Sequence, residues 1–151
     1  MPAAKADAQL FPFDELTHRY LVSLADEVHR TYFVKYPPLP VRWGQQISRK
    51  RRRTIRLGSY NHQTTEVRIH PILSTPNVPA FFIQSVIYHE YLHHVLGPKH
   101  NRKFHQHERK FRYYRESQEW IRANLWLLLG RPRKKRVLLV PPAQQVQAAL
   151  F

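Results

Sequence analysis

The chain has 151 residues, and its 25 Lys and Arg side chains against 10 Asp and Glu give a formal net charge of +15. It contains no cysteine, which excludes disulfides and thiolate zinc sites, so any metal must bind to His, Asp or Glu. The length suits one domain, and a hydrophobic content of 42% is enough to fill its core.

A helix and a small sheet are predicted for the first half of the chain. Between residues 14 and 33 apolar side chains recur about every four positions, with Asp14 available as the N-cap, which indicates an amphipathic helix. The apolar stripe consists of Leu16, Tyr20, Leu24, Val28 and Tyr32. PPLP at 37–40 ends this helix. Three segments that alternate apolar and polar residues then predict antiparallel strands, with NHQT as a turn: VRW (41–43), RTIRLGSY (53–60) and TEVRIHP (65–71).

Two helices and a tail are predicted for the second half. An apolar helix from Ala80 to Leu96 ends at Gly97 and Pro98, and a long helix follows at 101–129. The long helix carries an apolar stripe of Phe104, Phe111, Tyr114, Ile121, Leu125 and Leu128. We expect residues 1–130 to form a single domain and residues 131–151 to be a basic, disordered tail. The predicted elements are thus helices and a small, mainly antiparallel sheet.

No membrane segment is predicted from the sequence. The longest apolar run, LWLLL at 125–129, is too short to span a bilayer. The first residues contain acidic side chains and lack the continuous apolar region of a signal peptide. We therefore expect a soluble, cytoplasmic protein.

The segment YHEYLHHVLGPKH at 88–100 places an HExxH motif on the apolar helix. In a helix, His89 and His93 lie about 40° apart on one face, so both imidazoles can point at one metal ion. Glu90 projects roughly 100° from His89, which suits a general base that holds a metal-bound water better than a ligand. Imidazole nitrogens are preferred ligands of Zn²⁺, and a catalytic zinc keeps one position open for water. The motif predicts a hydrolytic zinc site.

A third protein ligand is expected, and several residues could supply it. Gly97-Pro98 breaks the helix after His93, which lets the chain fold back and makes His100 the first candidate. His107 is its nearest rival, and Glu108, Glu116 and Glu119 are candidates if the third ligand is a carboxylate. His94 is turned about 100° from His93 and is expected to be a surface group or a partner of the site.

The motif HEYLHH followed by HNRKF at 100–104 resembles the SprT-like metallopeptidases, the family that includes the Spartan DNA–protein crosslink proteases. That family has HExxH and then HGxxF. LPVRW at 39–43 and LGSYNHQTTEVRIHPIL at 57–73 resemble its strands, so the likeness covers most of residues 14–115. The resemblance implies that His89, His93 and His100 bind Zn²⁺ and that Glu90 is the catalytic base. It also implies an α+β, zincin-like fold in which helices pack on a small, mainly antiparallel sheet and HExxH lies on a core helix. The strand near Arg68 to Pro71 would lie beside the substrate groove.

The chain departs from the SprT-like pattern in two places. Asn101 stands where the family usually has Gly, and Asn can also cap a helix. Many relatives carry a cysteine-rich zinc ribbon that this chain lacks, so any DNA targeting must come from its basic clusters. The pattern is also similar to that of small wss-type metallopeptidases, which have HExxH and HSxxF and share the site.

The predicted activity is zinc-dependent hydrolysis of peptide bonds. Zinc on the three histidines would polarise a water and the scissile carbonyl, and Glu90 would take the water's proton and pass it to the leaving amine. The substrate is expected to be a protein or peptide. The residue that stabilises the oxyanion is left open among Tyr88, Tyr91, Tyr113 and Arg112.

The positive charge predicts DNA as a partner. It is concentrated in clusters at 48–53, 99–115 and 131–136. Binding through phosphates should be strongly salt-dependent and nearly independent of sequence. Tyr113, Tyr114 and Trp120 could stack on unpaired bases, although aromatic residues at helical spacing more often belong to a core.

The alternative to an enzyme is a non-enzymatic, basic nucleic-acid-binding protein with a structural metal site. A structural zinc has its fourth position closed by another protein ligand, for which His107 or Glu108 are candidates. The number of protein ligands therefore separates the two hypotheses. A third possibility is that the basic residues are simply solvent-exposed side chains. The positive charge would then support neither a DNA-associated peptidase nor a nucleic-acid-binding protein.

Overall fold

The computed structural model describes residues 15–45 and 55–129, which contain four α-helices and three strands. In chain order they are α1 (Glu15–Tyr32), β1 (Val41–Trp43), β2 (Gly58–Asn61), β3 (Glu66–Ile69), a 3₁₀ helix (Pro71–Ser74), α2 (Ala80–Leu96), α3 (Arg102–Glu108) and α4 (Tyr114–Leu128). The predicted α+β class is confirmed. The predicted Asp14 cap, the basic cluster at 48–53 and the tail at 131–151 lie outside the described residues.

The sheet is mixed, with strand order β1-β3-β2. Strands β2 and β3 form the predicted antiparallel hairpin, and the Asn61 side chain organises its turn by accepting hydrogen bonds from the backbone N–H groups of Gln63 and Thr64. Strand β1 pairs with β3 in parallel, with Val41 opposite Val67. The prediction of three antiparallel strands is therefore wrong for β1. The turn residues between β2 and β3 predict the antiparallel pairing of these two strands. The direction of β1 depends on the longer connection between β1 and the hairpin, for which the sequence has no local signal.

Helix α2 is the core helix, as predicted, and it spans the predicted residues. It packs against α1, β2, β3, α3 and α4. Its polar Gln84 is buried and donates its side-chain N–H to the Leu24 carbonyl and to Glu27. A helix surrounded in this way buries all of its faces, so His89 and Glu90 are enclosed by protein as well. No helix within residues 15–45 and 55–129 combines the length and the hydropathy of a membrane-spanning segment.

The long helix predicted at 101–129 is two helices, α3 and α4, separated by residues 109–113. The break contains neither Gly nor Pro and is set by tertiary contacts. Phe111 is buried against Tyr32 and Tyr88. The Tyr88 hydroxyl donates to the His107 carbonyl, and the Arg112 N–H donates to the Tyr32 hydroxyl. These bonds satisfy backbone groups that the interrupted helix leaves unpaired.

The buried face of α1 is rotated from the predicted stripe. Leu24 and Val28 are buried as predicted, together with Leu21 and Ala25. Leu16 and Tyr20 are 71% and 44% exposed, so this part of the prediction is wrong. Side chains four apart drift about 40° per step around a helix, and the core follows the alternating three- and four-residue spacing instead.

Candidate metal centre

Three imidazoles converge at the C-terminal end of α2. The Nε2 atoms of His89 and His93 are 3.2 Å apart, those of His89 and His100 3.2 Å, and those of His93 and His100 3.0 Å. Zinc bound tetrahedrally at about 2.0–2.1 Å would place its nitrogen ligands roughly 3.3 Å apart. The triangle therefore has the dimensions of a metal site. The structure brings together the three residues that the sequence singled out as ligands.

The Nδ1 atoms of His89 and His93 have hydrogen-bond partners that fix the orientation of both rings. Nδ1 of His89 lies 2.5 Å from Oε2 of Glu108, and Nδ1 of His93 lies 3.0 Å from the Gly97 carbonyl oxygen. Both partners are acceptors, so each neutral ring carries its proton on Nδ1 and directs an Nε2 lone pair into the triangle. Two lone pairs 3.2 Å apart repel each other unless they share a cation. The donor set therefore fits a metal ion.

Burial favours the neutral, metal-binding form of these histidines. It lowers the pKa of His89, His93 and His100, and neighbouring histidines lower the pKa of His89 and His100 further. Burial also raises the pKa of Glu108, against the effect of His105. A neutral His89 that donates its Nδ1–H to Glu108 agrees with the lowered pKa of His89.

The turn that returns the chain to the site depends on Gly97 and Asn101. Gly97 has a φ of 98°, a conformation that favours glycine, and its N–H donates to the His93 carbonyl. The Asn101 side chain accepts from the Phe104 N–H and caps α3, the role predicted for it. Phe104 is fully buried, with its ring 4.8 Å from those of His89 and His93 and 5.0 Å from that of His100. Its ring packs against all three imidazoles and restricts their positions.

Glu90 is 1% exposed, and its Oε2 atom has no hydrogen-bond partner in the described part of the chain. Burial raises the pKa of Glu90 to about 8, and the positive charge of Arg56 opposes this shift. A cation on the histidines would also favour the carboxylate, because opposite charges stabilise each other. An orphaned buried carboxylate oxygen is costly, which makes it a site for a ligand or water.

Strand β2 passes directly over Glu90 at Gly58. A Cβ atom at this position would lie 3.0 Å from Glu90 Oε2 and 2.6 Å from Val86 Cγ1. Only glycine permits so close an approach of strand and helix. Strand β2 thus lies beside the site, and none of residues 68–71 lines the cavity there; that residues 68–71 lie beside the substrate groove stays a prediction. The glycine inside the predicted strand was the available signal for this contact.

A cavity of about 110 Å³ opens beside the histidines. It is lined by Arg56, Tyr60, His62, Glu90, His93, Pro98 and His100. Sequence reasoning missed Arg56, Tyr60 and His62, which reach the site only because β2 packs on α2. The Tyr60 hydroxyl lies 2.5 Å from Nδ1 of His94, so His94 is hydrogen-bonded to a residue that lines the cavity.

None of the four residues proposed for the oxyanion lines this cavity. The Tyr88 hydroxyl is bonded to the His107 carbonyl, and the Tyr91 hydroxyl accepts from the Leu39 N–H in the core. Tyr113 packs near Phe81, and Arg112 lies over the Tyr113 ring.

The rival third ligands lie outside the histidine triangle. Glu108 contacts the far side of His89, and the His107 carbonyl serves as an acceptor for Tyr88. Glu116 and Glu119 lie on α4. No other His, Asp or Glu of residues 15–45 and 55–129 joins the group.

The basic cluster at 99–115 is a set of exposed cations. They are Lys99, Arg102, Lys103, Arg109, Lys110, Arg112 and Arg115. The aromatic residues near it are engaged with the core: the Trp120 ring lies 4.5 Å from that of Phe82. The clusters at 48–53 and 131–136 lie outside the described residues.

A small mixed sheet with four described helices and a histidine triad at the end of the core helix defines an α+β protein whose fold is similar to that of a metallopeptidase. No protein-family model matches the chain, and no curated protein matches it. Among solved structures it is similar to the metallopeptidase zymogen jannalysin of Methanocaldococcus jannaschii, with a TM-score of 0.53 and 15% sequence identity. The match covers 72% of this chain and 89% of that one. At this identity the likeness establishes a shared fold.

Proposed function

We propose that the protein is a zinc-dependent metalloendopeptidase of the SprT-like type. The observation that carries the proposal is the convergence of three Nε2 atoms beside a buried carboxylate whose Oε2 atom has no partner in the described residues. His89, His93 and His100 would hold the ion. Zinc bound there would act as a Lewis acid and lower the pKa of a bound water towards about 7.

The residues around the triad have distinct roles in this proposal. Glu90 accepts the proton of the attacking water and returns it to the leaving amine. Glu108 holds His89 in the tautomer that directs Nε2 into the site. The cavity beside Glu90 and His100 admits the scissile carbonyl. The similarity of the fold to that of jannalysin, a metallopeptidase zymogen, supports the proposal that this chain is a peptidase.

An open fourth position separates the enzyme from a structural zinc protein. The candidates that could close it were His107 and Glu108. Glu108 is instead hydrogen-bonded to Nδ1 of His89, on the far side of that ring from the triangle. Within the described residues the group contains three ligands, which is the number that a catalytic zinc usually takes.

We further propose that its substrates are proteins associated with DNA. Lys99, Arg102 and Lys103 are exposed and flank His100, so a polyanion bound to them would lie beside the cleft. Binding should weaken steeply as salt rises, because each neutralised phosphate releases counterions. Fluorescence anisotropy with a labelled single strand and a labelled duplex at rising NaCl tests this. Binding that is weak and insensitive to salt would refute the DNA link and leave the peptidase proposal intact.

Hydrolysis of fluorescently labelled casein by zinc-loaded protein tests the enzymatic proposal. Glu90→Gln should bind the same amount of zinc and lose turnover by several orders of magnitude, because the base is removed and the ligands remain. Glu15→Gln, at an exposed glutamate on α1, is the matched control and should hydrolyse at the wild-type rate. Equal hydrolysis by Glu90→Gln and wild type would exclude the proposed role of Glu90.

A further inference from the structure

We infer that Tyr60 is a catalytic residue whose hydroxyl, held by His94, donates a hydrogen bond to the substrate carbonyl oxygen as it becomes an oxyanion. The inference rests on the proposed peptidase activity and deepens it. It adds a hydrogen-bond donor for the oxyanion to the Lewis acid that zinc on the histidine triad would provide.

Tyr60 is placed on the wall of the cleft opposite α2. It lies on strand β2, where it pairs with Val67, and it lines the cavity that also contacts Glu90 and His100. Its ring contacts two imidazoles. The His62 ring is 5.2 Å away at 90°, and the His94 ring is 5.5 Å away at 69°. These ring contacts and the hydrogen bond to Nδ1 of His94 restrict the position of the Tyr60 hydroxyl, and stabilisation of a developing charge requires a donor that is already in position.

The hydrogen bond to His94 can leave the Tyr60 hydroxyl proton free to donate a second hydrogen bond into the cavity. The Tyr60 hydroxyl oxygen and Nδ1 of His94 are 2.5 Å apart, and either atom can be the donor. When His94 carries its proton on Nδ1 and donates to the oxygen, the Tyr60 proton is available for another acceptor. A carbonyl oxygen in the cavity selects this arrangement because only this arrangement offers it a donor. Negative charge on that oxygen strengthens both bonds in the chain.

The other polar groups of the cavity wall fit the role less well. Arg56 and His62 are exposed, so solvent screens their charges and dipoles. Tyr60 is half-buried and fixed by its two ring contacts. Tyr88 and Tyr91 use their hydroxyls within the core. Tyr60 is therefore the tyrosine of this cavity with a positioned hydroxyl.

The test removes one oxygen atom. Tyr60→Phe keeps the ring and its contacts, and loss of one oxyanion donor typically lowers kcat by about 10²–10³-fold. The assay uses a quenched-fluorescent peptide built on the first cleavage site mapped in casein. We expect this fall in kcat with a nearly unchanged KM and wild-type zinc content. Tyr20→Phe, at an exposed tyrosine on α1, is the matched control and should keep the wild-type kcat.

Binding of a transition-state analogue gives a readout independent of turnover. A phosphonate analogue of the same peptide carries a negative oxygen where the oxyanion would form. Tyr60→Phe should weaken its binding by about the same factor as kcat/KM, while binding of the uncleaved peptide to Glu90→Gln and to Glu90→Gln/Tyr60→Phe should be equal. Equal phosphonate affinity in wild type and Tyr60→Phe would overturn the inference.

His94 is a positioning residue in this account, and its test uses rescue. His94→Ala should lower kcat by less than Tyr60→Phe does, because the hydroxyl remains but is no longer held. His94→Asn should recover most of the activity, since its amide N–H can occupy the place of Nδ1–H. Equal kcat in His94→Ala and wild type would contradict the positioning role.

The outcomes separate this inference from the peptidase proposal. A wild-type protein that cleaves casein, with Glu90→Gln inactive and Tyr60→Phe fully active, overturns the role of Tyr60 alone. A zinc-loaded wild type without hydrolysis overturns the peptidase proposal and the inference with it. Loss of zinc from Tyr60→Phe would also contradict the inference, because the hydroxyl would then be needed to hold the site.

Discussion

The two walls of the cleft are specified over very different distances along the chain. The wall formed by α2 and the turn after it carries His89, His93 and His100 within one short segment, and helical geometry brings them together. The wall formed by β2 and the residues just before it carries Arg56, Gly58 and Tyr60, which reach the site because the strand packs on α2. The ligands of such a site can therefore be predicted from a local motif, whereas the groups that face the ligands depend on the tertiary fold.

Removal of His100 is the largest expected disruption of the α2 wall. Binding of structural zinc is worth about 10–16 kcal/mol, and His100→Ala, which removes one of three protein ligands, should lose at least about 10²-fold in zinc affinity. Zinc competition with a chelator of known affinity measures it. His107→Ala, at the nearest rival, should retain wild-type affinity. The opposite pattern would move the third ligand to His107.

Gly58→Ala is the corresponding disruption of the β2 wall. The new Cβ would contact Val86 Cγ1 and Glu90 Oε2, and displacing a catalytic group by about 1 Å can lower turnover about 10²-fold. Overpacking should also destabilise the protein by about 1–3 kcal/mol. Casein hydrolysis and thermal unfolding measure the two effects.

Two further variants separate the effect on Glu90 from the effect on packing. Gly58→Ala/Val86→Ala relieves the shortest contact but keeps the one with Glu90, so stability should recover more than activity. Gly44→Ala has its nearest contact at 3.6 Å and should be active. Full activity of Gly58→Ala would show that β2 does not hold Glu90 in place.

Glu108→Gln tests the support that the next helix gives to the α2 wall through the contact between Glu108 and Nδ1 of His89. Partners of metal-ligating histidines typically contribute about 10–100-fold to metal affinity. The amide oxygen of the substituted side chain can still accept the Nδ1–H bond of His89 but carries no charge, so the lower end of that range is expected. Glu116→Gln, on α4, is the matched control. Equal zinc affinity in Glu108→Gln and wild type would mean that the carboxylate charge does not contribute.

The smallest predicted effect concerns the cap of α3. Asn101→Ala removes the acceptor for the Phe104 N–H and should lower the free energy of unfolding by about 1 kcal/mol. Urea unfolding of the zinc-free protein measures it without a contribution from the metal. Asn101→Asp keeps a capping oxygen and should preserve most of the stability. Equal losses in both variants would assign the effect to something other than the cap.

The sequence predicted the features that depend on neighbouring residues. The span of α2, its end at Gly97 and the cap at Asn101 follow from local patterns, and the structure agrees with each. The parallel pairing of β1 and the break at residues 109–113 depend on contacts with distant residues such as Tyr32 and Tyr88. For the same reason the four predicted oxyanion candidates do not line the cavity, whereas Tyr60, which the sequence does not single out, does.

The most direct test of the central claim is a crystal structure of the zinc-loaded protein. We expect one zinc ion on the Nε2 atoms of His89, His93 and His100, with a water in the fourth position within hydrogen-bonding distance of Glu90 Oε2. A fourth protein ligand in place of that water, or zinc bound away from these histidines, would contradict the account and favour a structural metal site in a basic binding protein.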